Sequence, residues 1–414
     1  MSLNTLLERR PGLLTVMLAA LTGLTALSID MSLPAMPQLQ RAFDVGVSSA
    51  QLTLSIFLVG FALGQVVCGP LSDRYGRRPV LVAGLALFTL AGFACAASTS
   101  LPMLLAARFA QGVGASVGPV VARAIVRDRY DSRRGAAVLS QMTQVMIIAP
   151  LLAPTLGGYL LVRLGWPAIF FVLAACGALM VVLCWRYLPE TAALQREAGE
   201  DGGPDGGLRE VLRHGDSVRH ALTTCFAYAG MFAYVAASPF ILMDVFGVAE
   251  QNFGYFFALT AAALLVSATV NRSQLKRRTP SLVLLRRGVF VVFAAGLTLA
   301  LAVWFGVGGL AGVLAPMMAY MFGQGLLMPN ATAAAMAPHG RSAGLVSSVM
   351  GALQTAGGAL AGYVVGAFYD HTPLSLALTV ASFATLALLA SGVARARVAR
   401  AGEGSAAQLH VTHA

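Results

Sequence analysis

The chain has 414 residues, 57% of them hydrophobic and only 11% charged, with a mean hydropathy of +0.76. A soluble domain carries roughly a quarter charged residues, so these values exclude an ordinary water-soluble fold and make lipid the main solvent. The formal net charge of +11 does not point to nucleic acid, because the basic residues lie in short gaps between apolar runs and not on one face.

A helix needs about 20 apolar residues to cross the hydrocarbon. Such runs predict spans near 12–33, 50–72, 79–98, 102–123, 136–162 and 166–188. A second group follows near 219–243, 253–271, 283–305, 309–331, 343–368 and 374–394. Arg9 and Arg10 precede the first run as they would in a signal peptide, but the run is long enough to span and no small-residue cleavage site follows. Between the groups, the stretch Glu190 to Asp216 is rich in Gly, Pro and acidic residues and reads as a flexible linker. The expected organisation is therefore a first bundle over 1–189, a linker over 190–217, a second bundle over 218–396 and a tail over 397–414. The fold class is an all-α membrane protein, with twelve transmembrane helices in two pseudo-symmetric six-helix bundles.

Basic residues cluster after spans two, four, six and eight: Arg74, Arg77 and Arg78; Arg127, Arg129, Arg133 and Arg134; Arg209, Arg213 and Arg219; Lys276, Arg277 and Arg278. Both ends are also basic, with Arg395, Arg397 and Arg400 near the C-terminus, whereas the opposite loops hold Arg41 and Arg163. The positive-inside rule places both termini and the linker in the cytoplasm.

Charges inside spans are the exceptions that matter. An ionised side chain at mid-bilayer costs roughly 2.5–3.5 kcal/mol on insertion scales and is tolerated mainly beside a cavity or partner. Asp30 in span one and Arg108 in span four fall at similar depth, so they are expected to pair, with Asp30 as proton carrier and Gln111 beside Arg108. The plainer reading is a helix-end Asp before Pro34 and an Arg reaching outward to the interface. Between spans two and three lies Gly69-Pro-Leu-Ser-Asp73-Arg74-Tyr-Gly76-Arg77-Arg78-Pro79. Gly76 suits a tight reversal, and Asp73 is an anion placed to meet the positive N-terminus of another helix. An ordinary basic loop would explain the arginines but not the spacing of Gly, Asp and Gly. In span five, Ala149-Pro150-Leu-Leu-Ala153-Pro154-Thr-Leu-Gly157-Gly158 loses two backbone donors and leaves room for a close neighbour, or is simply a bent helix.

These segments resemble the major facilitator superfamily. The Gly69–Arg78 segment is similar to its signature loop, the Arg108-x-x-Gln111-Gly112 run to its fourth-helix motif, and the span-five run to its antiporter motif with Ala149 and Ala153 in place of two glycines. The resemblance implies that Asp73 and Arg77 help latch the halves when the cavity faces outward, with Asp128 a further partner, and that Arg108 and Gln111 serve proton coupling. Leu27-Ser-Ile-Asp30-Met-Ser-Leu-Pro34-Ala-Met-Pro37, Gly230-Met-Phe232, Ser238-Pro239-Phe240 and the span-eight run Asn252-Phe-Gly254-Tyr255 are similar to the bicyclomycin/chloramphenicol-resistance group of drug:proton antiporters. The resemblance thus implies proton-driven efflux of small amphiphilic drugs across a bacterial inner membrane by a monomer. Phe57, Gln141, Gln144, Tyr228, Phe232, Tyr234 and Gln354 are candidates for a drug cavity, although such residues also serve as packing or interfacial anchors.

Other readings are a proton-coupled nutrient symporter or a non-transporting sensor, the latter lacking a signalling domain. No cofactor, metal, nucleic-acid partner or enzymatic activity is expected. There is no Walker A loop, zinc-binding His motif or Gly-x-Ser-x-Gly, and Cys68, Cys95, Cys176, Cys184 and Cys225 read as small hydrophobes. Gly358, Gly362 and Gly366 in span eleven read as a close-packing stripe.

Overall fold

The computed structural model describes residues 11–130, 132–191 and 213–392, which contain helices and no strand. Most of the expected linker (192–212), the tail beyond 392, and Arg9, Arg10, Arg209, Arg395, Arg397 and Arg400 lie outside the described residues.

Twelve long helices follow one another: α1 (Pro11–Asp30), α2 (Val47–Tyr75), α3 (Arg77–Ala96), α4 (Leu101–Arg129), α5 (Ser132–Leu164) and α6 (Trp166–Tyr187), then α7 (Gly215–Pro239), α8 (Phe253–Lys276), α9 (Ser281–Trp304), α10 (Gly309–Met336), α11 (Ala343–Ala367) and α12 (Leu374–Ala390). Eleven of the apolar spans are long enough to cross a bilayer by length and composition, and α12 is shorter. At 1.5 Å per residue α12 still covers about 26 Å, close to the hydrocarbon thickness.

The first span differs from its expected limits. After Asp30 the chain passes through a 3-10 turn, Leu33–Ala35, into a short helix, Met36–Phe43, so the apolar run extends over Gly12–Phe43. Pro34 and Pro37 lack the amide hydrogens a regular helix would use there, which is why the geometry changes without ending the span. Asp30 therefore lies well inside the span rather than near its end.

In the first half, α2 packs on α4, α3 on α4 and α6, and α1 on α4 and α5; in the second, α7 packs on α10, α11 and α12, and α9 on α10 and α12. The halves meet where α2 lies along α11 and where α5 lies along α8. Because successive helices reverse, the Asp73 loop marks one side of the molecule and the α1–α2 and α7–α8 connections mark the far side. Hydrogen bonds that stitch the halves gather toward the far side. Gln51 Nε2 donates to the Ala236 carbonyl (3.1 Å) and Ser55 Oγ to the Ala359 carbonyl (3.2 Å). Arg41 Nη2 pairs with Glu250 Oε1 (2.9 Å), Gln38 Nε2 donates to Glu250 Oε2 (3.0 Å), and the Tyr159 and Tyr255 hydroxyls meet at 2.9 Å. Toward the Asp73 side the facing surface of α5 is open, with Gln141 and Gln144 exposed.

Candidate functional site

The arginine of α4 is fully buried, and its environment explains how a charge is held there. Arg108 Nη1 donates to Gln111 Oε1 (2.7 Å) and to the Ser28 carbonyl (3.4 Å), and Nε donates to the Thr53 carbonyl (3.2 Å). The guanidinium lies 4.4 Å from the centre of the Phe57 ring and 5.5 Å from that of Phe170. Two carbonyls, an amide and two aromatic faces thus replace part of its hydration; Nη2 has no partner. Gln111, also fully buried, keeps its place by accepting from Arg108 and from Cys95 Sγ (3.9 Å).

The expected Asp30–Arg108 ion pair does not form. Arg108 reaches the α1 backbone two residues before Asp30, and no nitrogen of it comes within ion-pair distance of the carboxylate. Asp30 ends the regular part of α1, and Tyr228 of α7 is an electrostatic neighbour of its carboxyl. Asp30 is 6% exposed and, among the described residues, has no hydrogen bond or ion pair. Tyr228 stacks on Phe232 (centroids 4.8 Å apart, planes 28° apart), and both rings lie on Gly358 of α11. The aromatic pair and its glycine floor lie together in the second half, within electrostatic reach of the Asp30 carboxyl.

On the Asp73 side, Arg77 is enclosed within the first half. Its guanidinium pairs with Asp73 and with Asp128 Oδ2 (2.9 Å) and donates to Ser72 Oγ (2.8 Å). Arg77 is 1% exposed and Asp128 fully buried, whereas the Asp73 side chain is 59% exposed. Asp73 does not meet a helix N-terminus. Glu190 does so instead, accepting from the backbone N–H groups of Arg77 (2.8 Å) and Arg78 (3.1 Å) at the start of α3. A carboxylate there satisfies two orphan donors and complements the helix dipole. Gly76 makes this possible, with φ of 103° and no Cβ where the Glu190 carboxylate sits. Arg78 donates to the Trp185 carbonyl, Arg74 lies 5.4 Å over the Tyr75 ring, and Gly69 touches nothing that a Cβ would meet.

The α5 segment lies at the crossing of three helices. Gly157 rests on the Met31 backbone, next to Asp30, while Gly158 faces the Glu250 carbonyl and Gly254 of α8 seats against Thr155. The helix runs unbroken past Pro150, which is half-buried, and Pro154, which is buried. A side chain at Gly158 would hold the halves apart on the far side, and one at Gly157 would push α5 off the Met31 backbone within the first half.

The structure divides the cavity candidates. Tyr228 and Phe232 lie beside Asp30, and half-buried Gln354 lies one turn from Gly358 on the same strip of α11. Gln144 follows the α5 strip that meets α8 at Thr155, and Gln141 is one turn further toward the Asp73 side. Phe57 and Tyr234 point elsewhere. Phe57 is sealed beneath Arg108, and Tyr234 is 1% exposed, bonded to Thr260 Oγ1 (3.3 Å) and stacked on Phe257 within the second half. Glu190, Glu250 and the Tyr159–Tyr255 pair were not singled out from sequence, since a carboxylate at a span end carries no signal of its partner. The Gly358–Gly362–Gly366 stripe packs as expected, but across the halves: Gly362 against Ser55 and Gly366 against Gln51.

The sequence profile of the Major Facilitator Superfamily matches residues 18–362. The MFS-type transporter YdgK of Bacillus subtilis is 33% identical over 356 residues, covering 85% of this chain and 88% of its own length. The multidrug resistance protein MdtL of Shewanella oneidensis is 32% identical over 364 residues (86% and 89%), and the bicyclomycin resistance protein homolog of Haemophilus influenzae 27% over 384 (90% and 94%). Among solved structures, a D-xylose-proton symporter superposes with a TM-score of 0.70 at 15% identity, covering 91% of this chain and 96% of that one. A partially occluded inward-open form of the xylose transporter XylE from E. coli gives 0.66 at 15% identity, covering 91% and 95%. The chain is a multi-pass membrane protein and belongs to the major facilitator superfamily.

Proposed function

We propose that the protein is a proton-driven exporter of drug-like molecules in a bacterial inner membrane, working by alternating access. The observation that carries the reading is Asp30, a buried carboxyl inside span one that among the described residues has no counter-ion or hydrogen bond, with Tyr228 of the second half as an electrostatic neighbour. Two relatives are named for multidrug and bicyclomycin resistance, which favours efflux over uptake. The likeness to a xylose–proton symporter speaks for the fold alone.

The excess of arginine on the Asp73 side supports placing that side, the linker and both termini in the cytoplasm. With the far-side seam closed, the opening between the halves then faces the cytoplasm and admits cargo. When the seam parts, cargo leaves and Asp30 meets water on the outer side. Burying an unpaired ion costs several kcal/mol, so Asp30 takes a proton before the halves close over it and gives it up on the cytoplasmic side. One charge falling through about 100 mV supplies about 2.3 kcal/mol, enough for roughly a fifty-fold gradient per proton. Arg108 and Gln111 hold α1, α2 and α4 in register around that carboxyl. The signature loop keeps the first half rigid, with Asp73 as its exposed charge, and Gly158 sets the closed spacing. The working unit is a monomer.

The test is proton release from inverted, energised vesicles on adding chloramphenicol or a small cationic dye, comparing wild type with Asp30→Asn. Release in wild type alone supports coupling through Asp30. Equal release in both proteins removes Asp30 from the mechanism, and no wild-type response to a broad panel refutes the exporter.

A further inference from the structure

Arg123 is a charge in a span that none of the foregoing uses. It lies on α4, six residues before the helix ends at Arg129, where an arginine ordinarily extends toward the nearest interface. Its Nε instead donates to the Pro119 carbonyl (2.9 Å), one turn deeper into the span. The side chain is exposed, and among the described residues it makes no ion pair.

The face it occupies follows from its neighbours. Pro119 lacks an amide hydrogen, so the Ala115 carbonyl is left for Thr25 Oγ1 of α1 (3.1 Å). Gly118 rests on Leu21 of α1, and Ser116 meets Cys68 of α2 (3.5 Å between Oγ and Sγ). Gly114 and Val117, on the other side of α4, are filled by α3 at Phe88 and Gly84. Ala115, Pro119 and Arg123 follow in steps of four along one strip, between the α1 and α2 contacts, whereas Gln111 turns to Cys95 and Gly92 of α3. That strip runs about 12 Å from Ala115 to Arg123, toward the open Asp73 side.

Beyond Asp30, the ionisable residues at the open ends of α5 and α8 are basic. Facing helices contribute Asp30 at the deep end. Toward the open end α5 carries Arg134 and α8 carries Arg272 and Lys276, whereas Arg219 of α7 turns onto Gly392 at the end of α12. Asp216 is engaged by Arg219 (2.5 Å), so no described carboxylate pairs with Arg123. A guanidinium with Nε fixed on its own helix keeps both terminal nitrogens for a planar acceptor.

We propose that Arg123 is the specificity-determining residue of the transport pathway, receiving a carboxylate or comparable oxyanion of the cargo and disfavouring permanent cations. This rests on the exporter reading, and it narrows the drug class to acidic, zwitterionic or acceptor-rich neutral molecules. An anion exported against one proton moves two charges down the membrane potential, so an imposed potential drives such cargo more strongly than a neutral one.

The experiment uses the full chain in nanodiscs, with equilibrium dialysis of three probes: nalidixate as anion, chloramphenicol as neutral molecule and tetraphenylphosphonium as cation. Wild type is compared with Arg123→Gln, Arg123→Lys and Arg123→Glu, after thermal melts confirm that each is folded. A charge-assisted hydrogen bond of roughly 1.5–3 kcal/mol predicts that nalidixate binding falls about tenfold or more in Arg123→Gln. Arg123→Lys retains most of it, and Arg123→Glu reverses the order of anion and cation. Wild type binding the cation as tightly as the anion, or an unchanged ranking in Arg123→Gln, overturns the proposal. Vesicle transport separates the two readings: a charge ranking without proton-driven transport leaves the selector and removes the exporter, and transport without the ranking does the reverse.

Discussion

The two carboxylates that hold Arg77 are expected to differ sharply in worth. Asp128 is fully buried with Arg77, while the Asp73 side chain is 59% exposed. Removing one member of a buried pair leaves an uncompensated charge and costs about 3–5 kcal/mol, so Arg77→Met is expected to fall in that range. Asp128→Asn keeps an acceptor near Arg77 Nε and near Thr191 Oγ1, now 3.2 Å from Asp128 Oδ2, and should cost about 2–3 kcal/mol. Asp73→Asn removes a solvent-screened pair and should cost less than about 1 kcal/mol. Combining Arg77→Met with Asp128→Asn should cost less than the sum, by about 1–3 kcal/mol, because the second change no longer strands a charge. SDS titration of the purified protein in mixed micelles, followed by the fluorescence of nearby Trp185, measures all four. Strict additivity, or an Asp73→Asn cost equal to that of Asp128→Asn, would refute the reasoning.

Three further outcomes are expected. Glu250→Ala breaks the bonds to Arg41 and Gln38 but loses an exposed pair worth roughly 0.2–1 kcal/mol, so the far side should open up to about fivefold more often, read by thiol labelling of a far-side cysteine. Gly158→Leu places side-chain atoms against the Glu250 carbonyl, so the closed far side should be lost and transport abolished while thermal melting shows a folded protein. Thr372 donates to Asp370 through its amide (3.1 Å) and hydroxyl (2.6 Å), holding that carboxyl below the ordinary carboxylate range. A depressed carboxylate stabilises above its unfolded value and loses that contribution as pH falls through the folded one. The α11–α12 turn should therefore loosen only in acid, with faster amide exchange at Leu374, whose N–H donates to the Thr372 hydroxyl.

Residues that act through local chemistry were legible in the sequence. An Asp, an Arg and a Gln in otherwise apolar spans stand out because lipid makes each costly, and the Gly76 turn declares itself by type. What was not legible depends on rotation about a helix axis. Depth alone suggested that Asp30 and Arg108 should pair, but depth does not say that one faces Tyr228 and the other Phe57. The same gap misplaced Tyr234, which shares α7 with Tyr228 yet turns to Thr260. It also hid the partner of the α3 N-terminus, since Glu190 lies 113 residues from Arg77.

The two sides of the molecule are held by different kinds of contact, and the difference follows from what each must do. Around Arg77, Asp128 is enclosed and only Asp73 is exposed, and their bonds stay within the first half and its trailing segment, so no step of the proposed cycle has to break them. The far-side seam is built from backbone carbonyls, small residues and a pair whose Arg41 side chain is 68% exposed. Each such bond contributes about 0.5–1.5 kcal/mol net, and water replaces it readily when the halves part. A seam made of buried ion pairs would cost several kcal/mol to desolvate at every closure and as much to break, stranding the protein in one state. A proton supplies only about 2.3 kcal/mol per 100 mV, so weak, renewable contacts at Gly158, Gly362 and Gly366 fit the proton-driven cycle proposed above.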